Sequence, residues 1–167
     1  MSDIVWFLDV DGPLNASKAG WDRAPTRRHV RTADGISYRL TWEPKLVRTI
    51  GAMHTNGVVE VRWCTTWCPE THLLENLWGL PSLPRCWDEY PEGNYVGDLK
   101  LNSVLAALES GRRVIWTDDT ETPTPEINGD LYRKLVSMGD ILLIRPNSTR
   151  GLRPTDMDQI TMFCASQ

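Results

Sequence analysis

Ile4-Val5-Trp6-Phe7-Leu8-Asp9-Val10-Asp11-Gly12 is an almost unbroken apolar run that stops on two carboxylates and a glycine. A strand with one wet face alternates polar and apolar residues, whereas a run apolar throughout has to be covered on both faces. Ile4 to Val10 is therefore predicted to be a strand covered on both faces, as in a parallel sheet packed between helices. In such a sheet ligands bind beyond the carboxyl ends of the strands, which is where Asp9 and Asp11 fall.

Outward from this strand, Arg27 to Thr32 and Ile36 to Trp42 read as two short strands around Ala33-Asp34-Gly35, a hairpin signal. Leu46, Val47, Ile50 and Met53 recur at helical spacing, with Pro44 near the start and Asn56-Gly57 as the stop. Val58 to Cys64 reads as a strand, and Pro69 to Leu77 as a helix ending at Gly79. The second half repeats the alternation: helix over 98–110, strand over 113–117, helix over 130–138, strand over 141–144 and a last helix over about 155–163. Strand and helix alternating after a hairpin predict an α/β fold, a Rossmann-like doubly wound parallel sheet in one domain over 1–167. The Pro- and Thr-rich stretch 120–125 is too short to be a domain linker.

Three of these strands finish on reactive groups: Asp9-Val10-Asp11-Gly12, Thr65-Thr66 and Asp118-Asp119. A single Asp at a strand end is usually a turn former. Carboxylates on successive strand ends, with Thr65 and a helical Lys100 between them, are a stronger signal. Converging carboxylates repel unless a cation neutralises them. Mg²⁺, held by a few carboxylates, water and a substrate phosphate, suits such a site.

The bulk numbers place few limits on this reading. The chain has 167 residues, 41% hydrophobic and 24% charged, with a formal net charge of -4, and nothing marks a dedicated polyanion binder. Lys18, Arg23, Arg27, Arg28, Arg31, Arg39, Lys45 and Arg48 crowd an early stretch, as a solvated basic face or a phosphate-steering patch would. Cys64, Cys68 and His72 recur every four residues, but structural zinc usually needs four ligands and no convincing fourth is near, so Cys64 and Cys68 are read as small buried or semi-buried side chains. No apolar run is long enough to cross a membrane and no signal peptide is evident, so a cytoplasmic location with reduced thiols is expected.

The motifs and their order resemble the haloacid dehalogenase superfamily of phosphohydrolases. Trp6 to Asn15 matches its first motif, an apolar strand ending in Asp-x-Asp-Gly. Val59 to Thr65 matches the second, Lys100 in Gly97-Asp98-Leu99-Lys100 the third, and Val114-Ile115-Trp116-Thr117-Asp118-Asp119 the fourth. Trp63 to Trp67, Gly79-Leu80-Pro81 and Arg150-Gly151-Leu152 look like segments of small bacterial and phage members. The resemblance implies a phosphatase in which Asp9 is the nucleophile and Asp11 the general acid and base. It implies Mg²⁺ held by Asp9, the Asp11 carbonyl, and Asp118 or Asp119. Thr65, or Thr66 beside it, would bind a phosphate oxygen, and Lys100 would neutralise Asp9 and the phosphoryl group. Members that hydrolyse ATP for transport carry Thr at the position of Asp11, so Asp11 points to ester hydrolysis.

Family members differ in cap insertions, and here both gaps are too short for a cap domain. A cap-less enzyme with a β-hairpin flap over about 27–42 is expected. The flap offers Arg27, Arg28, His29 and Arg31, with Tyr38, Trp42 and nearby Trp21 for stacking or for packing onto the body. Such groups are how single strands are gripped, which raises a nucleotide or a nucleic-acid end phosphate as substrate. A phosphotransferase on the same site, or a non-catalytic binding protein of the same fold, are the competing readings. No reading of oligomeric state follows. His29, His54 and His72 look incidental, with His54 placed to cap a helix end.

Overall fold

β1 (Ile4–Leu8) is buried along its whole length. Its period of two divides the core: Ile4, Trp6 and Leu8 face one side of the sheet, Val5 and Phe7 the other. The computed structural model describes residues 2–89 and 93–166. The remaining elements are β2 (Thr26–Arg31), β3 (Ser37–Trp42), α1 (Pro44–Thr55), β4 (Glu60–Trp63), α2 (Thr71–Trp78), α3 (Val96–Glu109), β5 (Arg113–Thr117), α4 (Gly129–Met138), β6 (Ile141–Ile144) and α5 (Pro154–Ala165).

The main sheet is parallel throughout, in the order β4-β1-β5-β6. The chain steps from β1 to β4 on one side, then crosses back to β5 on the other, so the order reverses at β1. Leu46, Val47 and Ile50 of α1, Leu74 and Trp78 of α2, and Met157 and Ile160 of α5 pack on the face of Trp6 and Leu8. Val104 and Leu108 of α3 and Leu135 of α4 pack on the face of Val5 and Phe7. Helices on both faces explain why β1 and most of β5 carry no polar face.

Buried polar groups tie these layers together. Trp6 donates its Nε1–H to the Thr117 hydroxyl at 2.9 Å, joining β1 to β5. Glu75 Oε1 accepts from Trp63 Nε1 at 2.9 Å and from the Leu83 N–H at 3.0 Å, joining α2 to β4 and to the loop after it. A buried indole or amide N–H left without an acceptor is costly, so these pairs hold α2 and β4 in one orientation.

β2 and β3 form a separate antiparallel pair, registered from Thr26↔Trp42 to Arg31↔Ser37. Leu40 and Trp42 are in the core, so the hairpin face that includes Val30 and Tyr38 turns inward. The Thr41 N–H donates to Asn15 Oδ1 at 2.8 Å, fixing the hairpin base against the loop after β1.

The expected elements are present, with local differences. The helix predicted from Pro69 divides into a 3-10 turn over Cys68–Glu70 and α2, which ends on Gly79 in the left-handed region at φ 65°. Pro69 lacks the N–H that an α-helical turn uses, and a short 3-10 turn tolerates it. His54 does not cap carbonyls with its ring: Nδ1 accepts the Val61 N–H at 3.1 Å. Cys64 and Cys68 are buried whereas His72 is exposed, so the three do not form a metal site, and all four cysteines are unpaired. Among the described residues no helix is long and apolar enough to cross a membrane.

Candidate functional site

The register of the sheet brings three strand ends level. Leu8 pairs with Trp63 on one side and Thr117 on the other. The next backbone bonds run from Cys64 N–H to Leu8 O and from Asp9 N–H to Thr117 O. Asp9, the Cys64-Thr65-Thr66 turn and Asp118 therefore leave the sheet side by side at the point where strand order reverses. The carboxylates of Asp9, Asp118 and Asp119 have oxygens within 4.8 Å of one another, the single such cluster of metal-ligating side chains among the described residues.

Lys100 enters this cluster from the second turn of α3, only 4% exposed. Its Nζ lies 2.6 Å from Asp118 Oδ2 and 3.0 Å from Asp9 Oδ2. Asp118 is fully buried, and its other oxygen accepts the Thr120 N–H and hydroxyl and the Glu121 N–H. Burial raises the Asp118 carboxyl, but Lys100 and these donors outweigh it and hold it below the usual carboxylate range. Asp9 shares the same ammonium at longer range. Burial, then the Asp118 charge, push its carboxyl up to about 7 against the pull of Lys100. Burial pulls Lys100 down, yet the two carboxylates raise it well above an ordinary lysine. Burial and Asp118 also raise Asp119. Three carboxylates thus share one buried cation, and Asp9 and Asp119 carry the unbalanced negative charge.

Gly12 makes the approach of Asp119 possible. A Cβ there would lie 2.2 Å from Asp119 Cγ, and φ is 96°, so no side chain fits. Asp11 stands in the wall beside it, exposed but tethered at both oxygens. Asn15 Nδ2 donates to Oδ1 at 2.7 Å and Trp67 Nε1 donates to Oδ2 at 2.9 Å.

Asp9, Asp11, Gly12, Thr66, Lys100 and Asp119 line a cavity of about 340 Å³, with the start of α3 opposite. A second cavity of about 310 Å³ adjoins it between the hairpin and residues 66–70, with Asp11 and Thr66 common to both. Of the two candidate threonines, Thr66 is exposed at the wall, whereas Thr65 is fully buried and its hydroxyl accepts the Trp67 N–H at 3.3 Å. Arg27, Arg28 and Arg31 are exposed on β2 and line neither cavity, and the Arg31 Nε donates to Gly35 O in its own turn.

Sequence reasoning did not single out the two side chains that hold Asp11. Asn15 had a local signal, an amide four residues after a carboxylate. Trp67 had none, since 56 residues separate it from Asp11. No known family model, curated protein or solved structure matches this chain, so a functional reading rests on the site itself.

Proposed function

We propose that this chain is a Mg²⁺-dependent phosphomonoester hydrolase of the haloacid dehalogenase type, with Asp9 as nucleophile and the β2–β3 hairpin as a flap in place of a cap. The observation that carries this reading is the buried Lys100 bridging Asp9 and Asp118 at the mouth of an open cavity. Such an arrangement is costly as structure, because burying charge is rarely recovered by pairing alone. It suits a site that must receive a dianionic phosphate beside a nucleophilic carboxylate.

The donor set fits a hard divalent cation. Asp118 has both oxygens engaged, so Asp119 is the acid left free to serve with Asp9 and the Asp11 carbonyl. When bound, Mg²⁺ supplies positive charge to the phosphate oxygens and orients them for in-line displacement.

In the chemistry we propose, an Asp9 oxygen bonds to phosphorus as the ester P–O bond breaks. The departing electron pair stays on the ester oxygen, which takes a proton from the Asp11 carboxyl and leaves as the alcohol. Water then attacks the aspartyl-phosphate, gives a proton to Asp11, and phosphate departs with Asp9 restored as a carboxylate. Lys100 holds Asp9 in place and offsets charge on the phosphoryl group. Thr66 is the hydroxyl we assign to a phosphate oxygen, with Thr65 shaping the turn that presents it.

A nucleotide or a nucleic-acid end is the substrate class we favour. Strand alternation puts Arg27, His29, Arg31 and Arg39 on one face of the hairpin, and none of them forms an ion pair among the described residues. That unneutralised stripe supports a polyanion running along the outside of the flap. Phosphate release from small esters, nucleotides and 3′-phosphorylated oligonucleotides, with Mg²⁺ or EDTA, tests the whole reading. Turnover that EDTA abolishes and Asp9→Asn lowers by more than about a thousandfold is expected, since a lost nucleophile costs at least that. Turnover unaffected by Asp9→Asn would reject it. Transfer of the phosphoryl group to an added alcohol in preference to water would favour a phosphotransferase.

A further inference from the structure

The cavity on the far side of Asp11 takes no part in the steps above. Tyr38, Trp67, Pro69 and Glu70 line it, with Asp11 and Thr66 at its border with the Asp9 cavity. Tyr38 meets Trp67 edge to face with ring centroids 5.1 Å apart, yet remains 42% exposed. Glu70 Oε1 accepts the Ala33 N–H at 2.8 Å, which pins the hairpin tip over the cavity. On the premise of the hydrolase reading, we propose that this cavity is the leaving-group subsite and that it takes a planar, uncharged group such as an aryl ring or a terminal nucleoside.

The direction of the reaction leads there. Attack by Asp9 expels the ester oxygen from the opposite side of phosphorus, and that oxygen receives its proton from Asp11. Whatever is bonded to the oxygen continues past Asp11, and the space past Asp11 is this cavity. Its walls define the chemistry it accepts. Aromatic faces favour a flat ring, the Glu70 carboxylate repels an anion, and among the described residues neither lysine nor arginine lines it. The basic stripe lies on the other face of the hairpin, so it meets only what extends beyond the ring.

Trp67 is then a positioning residue. Its ring forms a wall of the subsite while its Nε1–H holds the Asp11 carboxyl at 2.9 Å, so the side chain that receives the leaving group also aims the acid.

Two measurements test this. The first is equilibrium binding of phenyl phosphate, methyl phosphate and 4-carboxyphenyl phosphate to Asp9→Asn by calorimetry with Mg²⁺. Phenyl phosphate is expected to bind about tenfold tighter than methyl phosphate, the order of one ring stacked on an aromatic side chain. The added carboxylate should remove much of that advantage, and Tyr38→Ala in the same background should remove most of it. Equal binding of the phenyl and methyl esters, or preference for the carboxylated ring, overturns the subsite. The second is kcat on p-nitrophenyl and phenyl phosphate, whose rings match but whose leaving oxygens differ in basicity. Trp67→Phe keeps the ring wall and loses the N–H, so the ratio of the two rates should rise at least about tenfold, because only the basic phenoxide needs a well-aimed acid. A uniform fall on both esters, or none, overturns the positioning role. The binding arm reads the cavity without turnover, so an inert wild type with ring selectivity intact would reject the hydrolase and not the subsite.

Discussion

Asp9 bears the electrostatic cost of its site. It is nearly fully buried, and Lys100 sits closer to Asp118 than to it. A carboxyl whose proton is held more tightly in the native than in the unfolded chain stabilises the fold at low pH and loses that stabilisation as the pH rises. With Asp9 moving from 3.8 to about 7, the window runs from about pH 4 to pH 7. The raised Asp119 acts in the same direction, and the lowered Asp118 acts only below this window. The metal-free protein should therefore lose stability between pH 4 and pH 7. Asp9→Asn should flatten most of that slope. Thermal unfolding in EDTA across this range reads both. A wild-type slope that survives in Asp9→Asn would mean that another group carries the titration.

At the scale of elements, the site depends on two joints. The loop after β1 is tied to the hairpin base through Asn15, and α2 is tied to β4 through Glu75. Glu75 accepts two buried N–H groups, from Trp63 and Leu83. Glu75→Ala removes both acceptors and leaves an indole and a peptide N–H unpaired, at a cost of about 2–4 kcal/mol. Glu75→Gln retains an oxygen in the same place and should cost less than about half as much. Urea unfolding of the two variants checks this, and equal losses would show that volume alone matters at that position. Displacing α2 also displaces the turn before it, which carries Trp67 and Pro69. The alanine variant should therefore lose activity beyond what its unfolded fraction explains.

For the whole molecule, the parallel sheet delivers three chain segments to one edge, and ligand binding there stabilises everything that the sheet connects. Mg²⁺ at a hundredfold its dissociation constant should raise the free energy of unfolding by about 2.7 kcal/mol. Asp119→Asn should abolish most of that gain while leaving metal-free stability near or above the wild type, because it removes a crowded charge. Melting curves with and without Mg²⁺ test this; a gain retained in Asp119→Asn would place the cation elsewhere. The same architecture shows which features were readable along the chain. β1 was legible because a buried strand needs apolar residues at every position, and β5 and β6 because short apolar runs alternate with helical stretches through the second half. Asp9 and the Asp118-Asp119 pair stood out because charge directly after an apolar run needs a partner, and Lys100 only through its place in the order of the motifs. Three features depended on folding. Asp118 faces Lys100 and Asp119 the cavity, a difference of one residue in backbone direction that no local pattern encodes. Thr65 and Thr66 divide in the same way between core and wall. The hairpin's alternation turned Tyr38 inward and Arg27, Arg31 and Arg39 outward, and chain crossing brought Trp67 to Asp11. Hydrophobic burial is a sum over residue types and is written in sequence order. Hydrogen-bond direction and the meeting of distant side chains depend on register and strand crossing, and these exist only once the sheet has formed.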